Sequence, residues 1–242
     1  MRTALFFLTV ACLLLSGPVH AQEQPHVFRN ATVYPIASEP IDEGVLVVEG
    51  GEIQAVGPAG EVDVPTDAQE HDLTGKVVMP GLVDTHSHIG QASGGDGSAA
   101  LHPGVRTIDG INVMHSSLDR ARAGGITAVQ VLSGSGHLLS GQTTYLKLRD
   151  GTTVADLNAC DDRPIEACGG MKMANGTNPQ RDSGPFPGTR ARSAAMARQL
   201  FVEAQAYKRK KEQADGSDEM PERDLQMEGL VDVLEGDRIV HF

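Results

Sequence analysis

The sequence predicts an α/β protein in which a small β-rich segment precedes strands that alternate with helices. Three observations favour this fold class. Short β-rich runs separated by turn residues fill residues 26–78, and one strand–helix–strand unit extends from His86 to Leu132. Further along, residues 190–211 and 225–234 have the residue pattern of helices.

Residues 1–21 have the form of a secretory signal. Arg2 is followed by an apolar run from Ala4 to Leu15, and Val19-His20-Ala21 is a small-x-small ending, so cleavage is expected after Ala21. The run is short for a bilayer span and is followed by Gly17-Pro18, which disfavours a membrane anchor. We therefore expect a secreted or periplasmic protein without a transmembrane span.

The composition restricts the class of partner. The chain has 242 residues, a net charge of −12 at pH 7, 40% hydrophobic residues and 4% aromatic residues. Nucleic acid is not expected as a partner, because phosphate binding needs a basic face. The hydrophobic content is ordinary for a folded soluble protein, and the length allows one large domain or two small ones.

Residues 22–78 are predicted to form a small β-structure with a structural role. Gly50-Gly51 separates two of its strands as a tight hairpin would. The predicted strands cover residues 27–34, 44–49, 51–56 and 76–79.

The most informative stretch is Met79-Pro80-Gly81-Leu82-Val83-Asp84-Thr85-His86-Ser87-His88. Pro80-Gly81 is a turn, and an apolar strand begins after it. Because side chains alternate along a strand, His86 and His88 point the same way, and both imidazoles can reach one cation. Two histidines on a strand are more often surface or packed residues, so this pair becomes a metal-site hypothesis only through its context.

The order strand, Pro-Gly, apolar pair, Asp-x-His-x-His resembles the first barrel strand of the amidohydrolase superfamily, the metal-dependent hydrolases related to imidazolonepropionase and the prolidases. The resemblance implies that residues 79–242 form the N-terminal half of a (β/α)8 TIM barrel, about its first four to five strands. Residues 22–78 would then be the N-terminal part of a β-sandwich domain. The phrase AGGITAVQV is similar to the family's second barrel strand.

The second informative stretch, residues 170–179, contains Lys172 in a short apolar context followed by turn residues. From the spacing alone, an ordinary lysine whose stem lies along apolar surface is the favoured interpretation. The stretch also resembles the fourth-strand segment of prolidase-like amidohydrolases, which implies that Lys172 is carboxylated and bridges two divalent cations. Carboxylation needs the neutral amine, so a dry site must lower the lysine pKa.

Other polar residues are weaker candidates. His102 and Asp109 follow the glycine-rich loop after His88, and they are expected at most to support the metal ligands. His137 lies in a glycine-rich turn predicted over residues 133–142 and is expected to be solvated. A phosphate cradle is disfavoured in that turn, because it lacks Gly-Lys-Ser/Thr and a following helix.

Cys160 and Cys168 are the cysteines that remain after removal of the signal. In an oxidising compartment a local disulfide is the favoured interpretation. Metal binding is the rival interpretation, but neither a CxxC motif nor a nearby histidine supports it.

The resemblance implies hydrolysis of an amide, peptide or cyclic amide bond in a small-molecule or peptide substrate by a metal-activated hydroxide. His86, His88 and Lys172 would hold one or two divalent ions, zinc by default. No catalytic residue is expected within the chain, because the family's general-base aspartate is expected beyond Phe242. The fifth-strand histidine ligand is also expected there, with His241 as the less favoured candidate.

The resemblance covers residues 26–242, roughly half of a full amidohydrolase, so we expect a truncated reading or a gene fragment that is inactive alone. An open parallel edge would favour poor solubility or dimerisation. Two alternatives remain: a natural half-protein that pairs with another chain, and a non-catalytic secreted metal-binding or interaction module.

Overall fold

The computed structural model describes residues 24–90, 92, 94–160 and 167–242. The signal sequence predicted at residues 1–21 lies outside these ranges. The chain divides after Pro80 into two compact units. Among the described residues, no helix combines the length and the apolar character that a membrane span requires.

The first unit is one five-stranded sheet. Its central strand β1 pairs antiparallel with β2 and parallel with β4 and β5, and β3 pairs antiparallel with β2. β4 is not predicted by the sequence because Gln-Glu-His-Asp contains no β-branched or apolar residue, and its backbone pairing with β1 makes it a strand. The strands are β1 His26–Val33, β2 Ile41–Glu49, β3 Glu52–Pro58, β4 Gln69–Asp72 and β5 Val77–Val78.

The hairpin between β2 and β3 confirms the predicted turn. Gly50 and Gly51 have φ of 58° and 77°, the left-handed conformations that a tight two-residue turn requires. The sheet packs its alternate apolar residues into a small core, in which Val27, Val45 and Val47 are at most 2% exposed.

The second unit is built from two three-stranded sheets and several helices. One sheet has the order β6-β7-β9 and the other the order β11-β10-β8. The strands are β6 Leu82–Ser87, β7 Ile126–Val131, β8 Leu139–Gln142, β9 Thr144–Lys147, β10 Met171–Met173 and β11 Val240–His241. The helices are α1 Ser116–Ala123, α2 Val154–Leu157, α3 Arg190–Gln213 and α4 Leu225–Glu235, with a 3-10 turn at Thr107–Gly110.

The predicted strand–helix–strand unit is confirmed as β6, α1 and β7. β6 and β7 are parallel, with Asp84 opposite Val129 and Ser87 opposite Val131. The helix α1 begins where the His115 side chain accepts a hydrogen bond from the Ser117 amide, and it ends at a glycine pair.

The glycine-rich turn predicted over residues 133–142 is wrong in its second half, because Leu139–Gln142 form the strand β8. All four residues of β8 are buried, and the strand pairs antiparallel with β10. Local preference favours a turn here, but burial and pairing decide the conformation. His137, expected to be solvated, is only 7% exposed.

The two sheets are mixed. β6 with β7 and β10 with β11 are parallel pairs, whereas β9 and β8 pair antiparallel with β7 and β10. The outer strand β6 leaves Val83 66% exposed, and Phe242 beside the outer strand β11 is 67% exposed. The predicted α/β class is confirmed, and closure of the strands into a barrel stays a prediction.

Both predicted helices near the end of the chain are confirmed as α3 and α4. The Asp224 side chain accepts hydrogen bonds from the first turn of α4, and Gly236 ends that helix with φ of 86°. The helices pack on the sheet that contains β10, where Leu200, Ala204 and Leu230 join Met171 in one core.

A disulfide joins Cys160 and Cys168, with 6.1 Å between their Cα atoms, which confirms the predicted pairing. The Arg238 guanidinium holds the same segment, since its Nη1 donates to the carbonyls of Ala167 and Gly169 at 2.8 and 2.9 Å. Its Nη2 donates to the Asp232 carboxylate at 3.1 Å. These bonds fix the chain just before β10.

The core around α4 generates a first prediction. Leu230 is 0% exposed, so Leu230→Ala should lower the free energy of unfolding by about 2–5 kcal/mol through lost transfer energy and a cavity. Leu225 lies on the same helix and is 61% exposed, so Leu225→Ala should change it by less than about 0.5 kcal/mol. Urea unfolding followed by far-ultraviolet circular dichroism measures both. Equal effects of the two variants would contradict the described packing.

The disulfide generates a second prediction. Because it closes a ring between residues 8 apart, replacing both cysteines by serine should lower the free energy of unfolding by about 2–3 kcal/mol. The same urea experiment measures the loss, with the wild type under reducing conditions as the matched control. An unchanged unfolding midpoint in both samples would show that the bridge does not stabilise the fold.

Candidate metal centre

His86 and His88 lie on one face at the end of β6, as the strand alternation predicts. Their ring centroids are 5.3 Å apart, and the rings are nearly perpendicular at 85°. Both side chains are exposed. Two imidazoles in this arrangement are open to an incoming ion.

The hydrogen bond of His88 fixes its tautomer. Its Nδ1 lies 2.7 Å from the carbonyl oxygen of Leu132, and because a carbonyl can only accept, Nδ1 must carry the proton. In the neutral ring, Nε2 then has no proton, and its lone pair is free to bind a ligand. Metal-binding histidines commonly have this second hydrogen bond, which orients the ring.

Lys172 lies in the middle of β10 and is 1% exposed, among the largest fully buried side chains of the described chain. Burial lowers the pKa of its amine, because a low-dielectric surrounding penalises the charged form. The stem therefore does not lie along the surface with a solvated amine, the interpretation that spacing alone favours. Lys172 is therefore desolvated, as its carboxylation would require.

His241 is the neighbour of Lys172 across the parallel pair β10–β11. Its Nε2 is buried and has no hydrogen-bond partner among the described residues. The pKa of His241 is lowered by burial first, and then by the charges of Lys172 and His86. A buried imidazole nitrogen without a hydrogen-bond partner lowers the stability of the fold unless a proton donor or a metal ion binds it.

The electrostatics connect β6 with β10 and β11. The pKa of His86 is lowered by desolvation first, then by the charges of Lys172 and His88, while Asp84 opposes the shift. His86, Lys172 and His241 are thus within electrostatic reach of one another. The fold brings together the predicted imidazole pair and the predicted lysine, and it adds His241 to them.

The other candidates lie elsewhere. Asp109 is paired with Arg106, whose Nη2 lies 2.6 Å from its carboxylate. His102 and His137 form a separate pair, with ring centroids 5.7 Å apart, and His102 Nε2 lies 2.8 Å from the Asp96 carbonyl oxygen. A cavity of about 890 Å³ is lined by Arg106, Asp109 and Arg238 rather than by the predicted metal ligands.

In the described part of the chain, no three His, Cys, Asp or Glu side chains form a group that could hold a metal ion by themselves. This absence includes His86, His88 and His241, which lie near Lys172 without forming such a group. A metal role for His86, His88 and Lys172 therefore stays a prediction.

Sequence reasoning treats His241 as the less favoured candidate, because the resemblance places the fifth-strand ligand just beyond Phe242. The glycine at position 170 is a sequence feature related to the position of His241, and only the fold shows this relation. A Cβ atom built on Gly170 would overlap the His241 ring and the Ile239 carbonyl oxygen, so a glycine is needed to admit that ring beside β10.

Comparisons with known proteins identify relatives of the chain. No protein-family model matches it. An amidohydrolase of Hapsidospora irregularis is 30% identical over 88% of this chain, and an imidazolonepropionase of Rhizobium rhizogenes is 27% identical over 53%. The crystal structure of an amidohydrolase from Thermotoga maritima matches 86% of this chain with a TM-score of 0.77 and 36% identity.

The chain spans 26%, 38% and 55% of the lengths of these three proteins, in that order. The matches extend over both sequence and three-dimensional structure. The matched proteins are named as amidohydrolases and an imidazolonepropionase, in agreement with the resemblance of the Asp-x-His-x-His and lysine segments. The chain therefore has relatives in the amidohydrolase superfamily, and it is similar to them over part of their length.

Proposed function

We propose that this chain contributes the metal-binding part of a metal-dependent hydrolase that cleaves carbon–nitrogen bonds of the amide, peptide or cyclic amide type. The observation that carries the proposal is that His86, beside His88, lies within electrostatic reach of the buried Lys172 and of His241. The substrate class follows the names of the relatives, an amidohydrolase and an imidazolonepropionase.

The residues fit a divalent cation. The protonated Nδ1 of His88 leaves Nε2 free as a ligand, and the buried Nε2 of His241 lacks a hydrogen-bond partner among the described residues. We propose His86, His88 and Lys172 as ligands, joined by His241. Imidazole ligands favour zinc among the common divalent ions, and the site would hold one or two ions.

The role proposed for Lys172 depends on its dry surroundings. A neutral amine can attack carbon dioxide, which forms a nitrogen–carbon bond and releases one proton. The product is an anion with two oxygen atoms. Burial supports this step because it lowers the pKa of the amine and so raises the neutral fraction.

A bound divalent cation would polarise the scissile carbonyl and lower the pKa of water. The chain's own residues would hold and orient it. The Leu132 carbonyl keeps the His88 ring in one tautomer, and β10 keeps the lysine away from bulk water. The imidazole pair remains on the exposed side, where a substrate can approach.

Three wider proposals accompany the site. We propose that residues 79–242 form part of a (β/α)8 barrel, which the parallel unit β6–α1–β7 and the Thermotoga maritima match support. We propose that residues 22–78 form part of a β-sandwich. We also propose a secreted or periplasmic location, with which the disulfide between Cys160 and Cys168 agrees because such bonds persist in oxidising compartments.

The metal proposal predicts zinc bound to the purified chain. Elemental analysis should find about one or two ions per chain in the wild type, as expected for such sites, and a loss of most of this zinc in the double variant His86→Ala/His88→Ala.

A second imidazole pair offers a matched control. The rings of His26 and His71 in the first unit are also 5.3 Å apart, and their Nδ1 and Nε2 atoms are 3.0 Å apart. His26→Ala/His71→Ala should keep the zinc. Zinc that is retained by the first double variant and lost from the second would refute the proposed ligands.

The buried lysine predicts a pH dependence in metal-free, carbon dioxide-free buffer. Because the pKa of Lys172 is lowered from 10.5 in the folded chain, the unfolded chain binds more protons between the two pKa values. The free energy of unfolding of the wild type, relative to Lys172→Met, should therefore increase with pH across that interval and level off above 10.5.

Urea unfolding at a series of pH values measures this difference. The exposed lysine variant Lys210→Met, on α3, is the matched control. A difference between wild type and Lys172→Met that stays constant with pH would show that the lysine is not desolvated.

A further inference from the structure

The two sheets of the second unit meet at Thr143. This residue lies between β8, which belongs to the sheet of Lys172, and β9, which belongs to the sheet of the imidazole pair. Thr143 is 0% exposed. Its surroundings therefore bear on the separation between the two halves of the candidate metal centre.

Thr143 makes four hydrogen bonds, three of which join it to the chain before Lys172. Its Oγ1 accepts from the Gly170 amide at 2.7 Å, and its own amide donates to the Gly170 carbonyl at 2.8 Å. Its carbonyl accepts from the Gly169 amide at 3.1 Å. The fourth bond is from Gln130, whose Nε2 donates to Oγ1 at 2.9 Å.

The bond to Gln130 reaches the other sheet. Gln130 is 1% exposed and lies on β7, between residues that pair with β6. His86 lies on β6 and His88 directly follows it. The Thr143 hydroxyl therefore joins β7, the strand next to β6, to Gly170, two positions before the lysine. A buried amide and hydroxyl are costly to separate, because neither finds water as a replacement.

At Gly169 and Gly170 the backbone lies too close to its neighbours for a residue with a Cβ atom. A Cβ atom on Gly169 would overlap Thr143, and one on Gly170 would overlap His241. β10 itself has only three residues, so its own pairing gives little control over its position. The backbone that enters β10 is therefore fixed from both sides, by Thr143 and by the strand that contains His241.

We infer that Thr143, assisted by Gln130, is a positioning residue that sets the placement of Lys172 relative to the imidazole pair. The inference concerns the same site as the proposed function and rests on it for its meaning in catalysis. The placement of β10 by Thr143 is a property of the chain by itself, so it can be tested whether or not metal binds.

The chain offers a matched set of variants. Thr143→Val keeps the shape of the side chain and removes Oγ1, whereas Thr143→Ser keeps the oxygen. The neighbouring Thr144 is also 0% exposed, but its Oγ1 has no hydrogen-bond partner among the described residues. Thr144→Val therefore makes the same chemical change one residue away without removing a described bond. Leu157→Ala serves as a variant that only lowers stability, because Leu157 is 3% exposed and packs in a core that does not include β10.

Amide hydrogen exchange of the full chain is the first measurement. In Thr143→Val the protection of the Gly170 amide should fall by about tenfold or more, since a buried donor loses its acceptor, and the Met171 amide should follow. Thr143→Ser and Thr144→Val should exchange like the wild type. Equal protection of Gly170 in Thr143→Val and Thr144→Val would overturn the inference.

The second measurement is the visible absorption spectrum of the chain loaded with cobalt(II), which reports the ligand geometry. Thr143→Val should change the spectrum, Thr143→Ser should keep that of the wild type, and Leu157→Ala should leave it unchanged despite lower stability. A spectrum that Thr143→Val does not alter, or that Leu157→Ala alters equally, would overturn the positioning role.

Gln130→Met provides the second variant if Thr143→Val does not fold. It removes the donor to Oγ1 at similar volume and leaves the bonds between Thr143 and Gly170, so a smaller change of the cobalt spectrum in the same direction is expected. An unchanged spectrum would overturn the role of the Gln130 bond. If the wild type binds no cobalt, the proposed metal function fails, while exchange of the Gly170 amide in Thr143→Val still decides the placement of β10.

Discussion

Burial of the Lys172 amine is the constraint on which the rest of the second unit depends. A lysine that is 1% exposed cannot keep its charge without a large desolvation cost, so its pKa is lowered. The same surroundings lower the pKa values of His86 and His241, partly through the lysine charge itself. Lys172, His86 and His241 therefore favour their neutral forms more than a free lysine or histidine does. Such a group is costly by itself and suited to a cation.

A short strand can present a buried lysine only if the chain around it is held firmly. β10 has three residues, and its support comes from what precedes it. Arg238 binds the carbonyls of Ala167 and Gly169, Thr143 binds Gly169 and Gly170, and the disulfide anchors Cys168. These interactions differ in kind, but they act on the same few residues. The packing of α3 and α4 over Met171 then closes the core on the other side.

The two units contribute differently to the protein. The first is a sheet whose core consists of small and medium apolar side chains, and no part of the candidate metal centre is drawn from it. The second contains the strands that present His86, His88, Lys172 and His241.

Much of this arrangement could be predicted from the sequence because it depends on local rules. Alternation along one strand places His86 and His88 on the same face, two glycines with positive φ make the first hairpin, and β6–α1–β7 follows from periodicity. The α/β class and the pairing of Cys160 with Cys168 were predicted in the same way. Each of these features depends on residues that are near one another in the chain.

The remaining features were decided by the tertiary structure. Nothing in the spacing of residues 170–179 indicates that Lys172 is buried, because β8 and β11, the strands that pair with it on both sides, are distant in sequence. β8 has the composition of a turn and becomes a strand only through pairing. The position of His241 beside Lys172 depends on strand register, and register is set by long-range contacts. The sequence by itself therefore determined the imidazole pair, whereas only the fold decided that a dry lysine and a further imidazole would lie near it.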